Sequence, residues 1–246
     1  MDIYWFSDPQ LKTGVRSSLP LVAKDIVRFK PEIIICGGDL YDMPSLSAFD
    51  FGKNSFHERR YLEDIEVGDR AQDEFFEIIK RGKRNNRKWK PEFIFLWGNH
   101  EFRILRAKEE IPSNFQGLID NHMPDLSRWD KVYPFLEIMQ LGGVCFSHFI
   151  SQEFSNRPIT TAKAILTKKH CSFVCGHKQA FEQDRQIKLD GSTIMGVIMG
   201  ACYFHDEIYK AQNNHHFRGA MLMKDVKNGV WTTIARPLAT LDREYK

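Results

Sequence analysis

Pro31-Glu-Ile-Ile-Ile-Cys-Gly-Gly-Asp39-Leu-Tyr-Asp42 is the stretch on which the reading of this chain turns. Ile33, Ile34 and Ile35 form a short β-branched run between a proline and a glycine pair, the pattern of a strand buried on both faces. Gly37 and Gly38 free the backbone to turn sharply and to approach a neighbour closely. Asp39 is thereby delivered just past the end of a buried strand, where a carboxylate must meet a cation, hydrogen-bond donors or water. Taken alone, Gly-Gly-Asp is also ordinary turn chemistry.

The same grammar recurs along the chain. Asp2-Ile-Tyr-Trp-Phe-Ser-Asp8 is an apolar run ending in an acid, followed by Pro9 and Gln10. Glu92-Phe-Ile-Phe-Leu-Trp-Gly-Asn99-His100-Glu101 ends in three polar side chains that can ligate a metal or move a proton. Val144-Cys-Phe-Ser-His148 ends in an imidazole, and Phe173-Val-Cys-Gly-His177-Lys-Gln179 ends in another. Separate polar caps would account for any one of these strand ends. Five of them are better explained by convergence on a single polar cluster.

In order, Asp8-Pro9-Gln10, Gly38-Asp39-Leu40-Tyr41-Asp42, Gly98-Asn99-His100-Glu101, His148 and Gly176-His177-Lys178-Gln179 resemble the signature of the calcineurin-like metallophosphoesterases. That signature runs Asp-x-His, Gly-Asp-x-x-Asp, Gly-Asn-His-Asp/Glu, an isolated His and Gly-His-x-His. The resemblance covers residues 1 to 200, and two positions depart from it: Gln10 and Gln179 stand where the family has metal-binding histidines. The layout from Gly98 to Arg103 and the tail from Gly200 to Gly219 also resemble small phosphoesterases of bacteriophage and prophage type.

The resemblance implies an α/β fold, a four-layer αββα sandwich with two mixed sheets inside and helices outside, forming one domain over residues 1–246. It implies two divalent metal ions, which together ionise a shared water and neutralise phosphoryl oxygens. Asp39 would bridge them, and Asn99, His148 and His177 would complete the second site. Asp8 would hold the first ion, with Gln10 and Gln179 contributing only neutral amide oxygens. An oxygen-only set favours manganese or magnesium over zinc and makes the first site weak, or vacant until substrate arrives. His100 would serve the leaving oxygen, with Glu101 or Asp42 as the acid that holds its ring. Arg103, in the first turn of the helix expected to begin at Phe102, is a candidate phosphate clamp.

The implied activity is hydrolysis of phosphate esters, with a phosphodiesterase or nuclease acting on DNA, RNA or nucleotides placed ahead of a phosphomonoesterase. The competing class is a binding scaffold that kept the fold and weakened its catalysis. Gln10 and Gln179 speak for the scaffold. His100 speaks against it, since a scaffold has little reason to keep an imidazole that binds no metal.

The 246 residues carry a formal charge of +3, which permits a polyanionic substrate without requiring one. Five cysteines, Cys36, Cys145, Cys171, Cys175 and Cys202, read as free thiols of a reducing compartment. The first residues enter a strand with no basic leader and apolar core, and no apolar run is long enough to cross a bilayer, so a cytoplasmic protein is expected.

Elsewhere the spacing predicts a helix over Ser18–Lys30, with Leu19, Val22, Ile26 and Phe29 on one face, and a longer one from Glu58 to about Arg81 with a break at Gly68. Residues 43–57 read as an aromatic loop that either forms a substrate lip or, as such loops more often do, packs on the domain surface. The basic run Lys80–Lys90 reads as a solvated connection in preference to a nucleic-acid arm in which Trp89 stacks on a base. Residues 112–134 give no pattern. A short helix is expected over Thr160–Lys169, followed by hairpins around Asp190-Gly191 and Asn228-Gly229. His205, His215 and His216 fall in the irregular piece between the hairpins.

Overall fold

The computed structural model describes residues 1–48, 59–110, 113–207 and 214–245. Eleven strands and six α-helices alternate along it: β1 (Ile3–Phe6), α1 (Leu19–Phe29), β2 (Ile33–Cys36), α2 (Tyr61–Arg84), β3 (Glu92–Leu96), α3 (Asn99–Glu110), α4 (Ser113–Asn121), β4 (Lys131–Tyr133), β5 (Met139–Leu141), β6 (Val144–Ser147), α5 (Ala162–Lys169), β7 (Ser172–Cys175), β8 (Phe181–Ile187), β9 (Thr193–Met199), β10 (Gly219–Lys227), β11 (Val230–Pro237) and α6 (Leu238–Glu244). A 3-10 turn spans Pro44–Leu46.

Two mixed sheets result. The first has six strands in the order β11-β10-β1-β2-β3-β4, and the second has five in the order β5-β6-β7-β9-β8. In the first, β1 to β4 run parallel while β10 and β11 are antiparallel. Strand alternation then sorts the side chains into layers. Ile3, Trp5, Ile33 and Ile35 of the first sheet meet Phe146, Val174, Val197 and Met199 of the second in a core between the sheets. Tyr4, Phe6, Ile34 and Phe95 face the other way, onto α1 and α2 through Val22, Ile26, Phe75 and Ile79. On the far side Phe173 and Ile198 of the second sheet meet Ile165 and Leu166 of α5. The order is helix, sheet, sheet, helix.

Several local expectations change on contact with the whole fold. α2 starts at Tyr61 and continues through Gly68 without a break. Glycine is needed there because a Cβ would lie 2.0 Å from the Tyr41 ring, which fills the space instead. α3 begins at Asn99, three residues before the expected start at Phe102. The stretch without pattern contains α4 and the edge strand β4, which pairs with β3 from Ile94↔Lys131 to Leu96↔Tyr133. Three residues are too few to show alternation, so pairing with β3 rather than local preference makes that strand.

Trp89 is only 7% exposed and donates from Nε1 to the Pro31 carbonyl at 2.7 Å. It anchors the approach to β3 and is not available to stack on a base. Ser18 is the residue before α1, but its hydroxyl reaches the Cys202 carbonyl rather than capping the helix. Both expected hairpins are present as β8–β9 and β10–β11. Residues 49–57 of the expected aromatic loop, and Glu58 at the expected start of the next helix, lie outside the described residues. Among the described residues no helix is long and apolar enough to cross a membrane.

Candidate active site

The ligand-bearing residues stand at the ends of neighbouring strands because the loops that carry them are tied together. After β1 and β2 the backbone continues to pair: Asp8 N donates to Gly38 O at 2.9 Å, Gln10 N to Asp39 O at 2.9 Å and Leu11 N to Leu40 O at 2.8 Å. After β6 and β7, Gly176 N donates to His148 O at 2.8 Å. Asp8, Gln10, Asp39 and His177 all have positive φ, at 56°, 45°, 52° and 62°. That conformation disfavours L residues, by roughly 1–2 kcal/mol each in a left-handed helical turn, so packing must hold it in place.

Asp39 is the hub. Its Oδ1 accepts from the His100 amide at 2.8 Å, in the first turn of α3, and its Oδ2 lies 3.3 Å from His148 Nε2. The two loops can come this close because residue 98 is glycine; a Cβ there would stand 2.1 Å from Asp39 Oδ1. Burial pushes the Asp39 carboxyl up, but His100 and His148 outweigh it and hold the group far below the usual carboxylate range.

His148 hydrogen-bonds through Nδ1 to the Gly37 carbonyl at 2.7 Å, which turns Nε2 toward the centre, 3.0 Å from Asn99 Oδ1. Burial pushes its imidazolium down, yet Asp39 dominates and raises it to about 9. His177 goes the other way: burial, with His148 adding to it, lowers it to about 4. Asp39, His148 and His177 each offer a ligand atom within 4.8 Å of the others, a group able to hold a metal ion. With Asn99 this is the mixed oxygen and nitrogen set expected of the second site.

The first-site residues show a different sign of fitness. Asp8 Oδ2 is engaged by the Ser7 hydroxyl and by the His177 amide at 3.0 Å, whereas Asp8 Oδ1 is buried without a hydrogen-bond partner. Gln179 Oε1 is likewise buried and unpartnered. A buried acceptor with no donor is costly, and a cation would relieve both oxygens. Burial, opposed by His148 and aided by Asp39, raises Asp8 to about 6. Asp39, His148 and His177 therefore fit a divalent ion by their mutual distances, and Asp8 and Gln179 by their unpartnered buried oxygens.

The structure separates the two acids that sequence left open beside His100. Asp42 Oδ1 lies 2.9 Å from His100 Nδ1. Glu101 is fully buried and accepts from three backbone amides, Asp39 N and Gly98 N at 2.9 Å and Tyr41 N at 3.0 Å. It reaches back to the residue before its own helix, as a capping box does. Burial, then Asp39, raises it to about 7. Arg103 donates to the Asp42 carbonyl at 2.9 Å, and a second guanidinium nitrogen stands 3.1 Å from His100 Nε2.

Lys12 was not singled out by any motif, yet its Nζ lies 2.9 Å from Asp42 Oδ2 and 3.5 Å from Glu207 Oε1, and His205 Nε2 meets the same Glu207 oxygen at 2.9 Å. His216 approaches the Tyr203 hydroxyl at 3.3 Å. Nothing local marks Lys12, because its partners are about 30 and 195 residues away.

A family model described as calcineurin-like phosphoesterase matches residues 1–200. Comparison with the curated proteins finds no significant match. Among solved structures, a dimetal phosphatase from Danio rerio is similar at 12% identity, covering 97% of this chain and 96% of its own, with a TM-score of 0.46. YfcE, a phosphoesterase from E. coli, is 10% identical over 96% of this chain and 100% of its own, with a TM-score of 0.44. Vps29 of Entamoeba histolytica, complexed with zinc, is 10% identical over 97% and 99%, with a TM-score of 0.43.

Proposed function

This chain belongs to the calcineurin-like phosphoesterase family, and from that premise we propose that it hydrolyses phosphate diesters of DNA, RNA or nucleotides with divalent ions held at this site. One observation carries the reading. His100, an imidazole outside the group Asp39, His148 and His177 that could hold an ion, is fixed by Asp42 and stands with Nε2 3.7 Å from Oδ2 of Asp39. A binding scaffold has no use for that pair.

Phosphate esters resist hydrolysis because their charge repels a nucleophile and an alkoxide leaves poorly. Divalent ions, when bound, supply an ionised water at neutral pH and positive charge against the phosphoryl oxygens. Asp39, Asn99, His148 and His177 would hold one such ion, and Asp8, Gln10, Gln179 and Asp39 the other. Asp42 holds the Nδ1 side of the His100 ring, which leaves Nε2 on the side of Asp39 and Arg103, where a substrate phosphate would sit. Burial depresses His100, but Asp39 and Asp42 outweigh it and raise its pKa, which favours a ring able to give a proton to a departing oxygen once the Arg103 nitrogen 3.1 Å from Nε2 turns to the substrate. Arg103, which donates to the Asp42 carbonyl and stands against His100 Nε2, would turn to a non-bridging oxygen when substrate binds, and His100 together with Lys12 keeps Asp42 ionised.

Gln10 and Gln179 leave the first ion without nitrogen donors, which favours manganese or magnesium there and makes that ion the weaker held. Five free thiols support a reducing, cytoplasmic setting. The test is hydrolysis of bis-p-nitrophenyl phosphate against p-nitrophenyl phosphate over a panel of divalent cations. Turnover of the diester with manganese or magnesium, lost in His100→Asn at unaltered metal content, is expected. No turnover of either ester with any cation would favour the scaffold.

A further inference from the structure

Three rings that take no part in the chemistry above form a continuous wall against the second-site ligands. Phe149 packs on the His177 ring at a centroid distance of 4.8 Å. Phe135 stands 5.6 Å from Phe149 and 6.4 Å from His148. Phe102 stacks on Phe135 at 4.8 Å with planes 25° apart. The wall runs from inside to outside: Phe149 is 6% exposed and Phe102 38%.

Its placement follows from α3. Phe102 is one turn beyond Asn99, so the helix brings a metal-ligand candidate and the outer ring to the same side. His100 and Arg103, also one turn apart, face Asp42 instead. The acid and clamp thus occupy one flank, and the aromatic rings the other. A ring placed only to fill the core would be covered. Phe102 is left open beside a polar, cation-binding centre, where an aromatic surface fits a flat apolar group attached to a phosphate.

We propose that Phe102, backed by Phe135 and by the buried Phe149, forms the subsite for a nucleobase carried on the substrate phosphate, which makes nucleoside phosphodiesters the substrate class. The proposal rests on the phosphodiesterase reading of the adjoining site. Every base has a π face, so stacking on phenylalanine is tolerant of base identity, and the subsite discriminates nucleosides from small alkyl groups rather than one base from another.

The test compares the p-nitrophenyl esters of thymidine 5′-phosphate and of methyl phosphate in the wild type, Phe102→Ala and Phe102→Tyr. The wild type should favour the nucleoside ester. Phe102→Ala should lower the ratio of kcat/KM values, nucleoside over methyl, by about tenfold, the order expected for loss of one stacking contact, mainly through KM. Phe102→Tyr, which keeps the π face, should restore the ratio. A ratio that does not move in Phe102→Ala, or a wild type with no preference, overturns the subsite.

A separate readout divides failure of the subsite from failure of the catalytic reading. Thymidine 5′-monophosphate and inorganic phosphate are titrated into the metal-loaded protein by calorimetry. Tighter binding of the nucleotide, lost in Phe102→Ala, supports the subsite even where neither ester turns over. Equal affinities, or a nucleotide preference that survives Phe102→Ala, overturn it even where turnover is brisk.

Discussion

Asp42 stands between two cations, with His100 Nδ1 2.9 Å from its Oδ1 and Lys12 Nζ 2.9 Å from its Oδ2. Burial pushes this carboxyl up, but His100 and Lys12 more than offset it and keep the group ionised well below the usual range. Asp42→Asn removes the charge that orients the imidazole and favours its protonated form. Turnover should fall about 100-fold or more, the usual contribution of a positioned acid, while elemental analysis shows the same metal content as the wild type.

The unpartnered Asp8 Oδ1 and Gln179 Oε1 predict how the metals behave. After dialysis against metal-free buffer, fewer than two ions per chain should remain, as measured by elemental analysis. The double change Gln10→His and Gln179→His adds two nitrogen donors and should shift retention toward zinc. Two tightly held zinc ions in the unaltered protein would contradict the assignment of an oxygen-only first site.

Cys171 should be the reactive thiol. The hydrogen bond with Cys145 lowers its pKa, burial opposes it, and Lys188 and Lys169 add to the lowering, bringing it to about 7. A lowered pKa means that thiolate is present where an ordinary thiol is still protonated. Alkylation of Cys171 by iodoacetamide, followed by peptide mass spectrometry, should therefore be half-maximal near pH 7 and fade toward pH 5. Cys36, Cys175 and Cys202, all buried and raised, should label only on unfolding.

Away from the site, Asp25 is fully buried and accepts from Tyr4 Oη at 2.7 Å, Tyr245 Oη at 2.7 Å and the Arg236 guanidinium at 2.9 and 2.6 Å. This network joins α1 to β11 and the end of α6. Arg236→Met strands the carboxylate without its counter-ion and should cost about 3–5 kcal/mol, read as a lower urea midpoint at similar slope.

Legibility varied with how local the cause was. β1, β2, β3, β6 and β7 were readable because a strand buried on both faces shows as an apolar run, and the polar residue that ends each one shows beside it. Tyr41 against Gly68, Trp89 on Pro31 and β4 on β3 were not, since each depends on a surface supplied from elsewhere in the chain. Glu101 reads as a motif residue with a role in catalysis or in structure. Three backbone amides from two loops are what turn it into an organiser of the strand ends.

By itself the sequence determined that acids, amides and imidazoles would follow successive buried strands, and that two imidazoles of the family pattern would be glutamines. Those are matters of composition at turns and of apolar runs, which each segment carries within itself. The tertiary structure alone decided that Asp42 rather than Glu101 holds His100, that Lys12 closes on Asp42 from the far side, and that Phe135 and Phe149 flank His148 and His177. Such pairings arise only when two sheets pack and their loops meet, because a side chain's partner is set by distance in space and no local pattern records it.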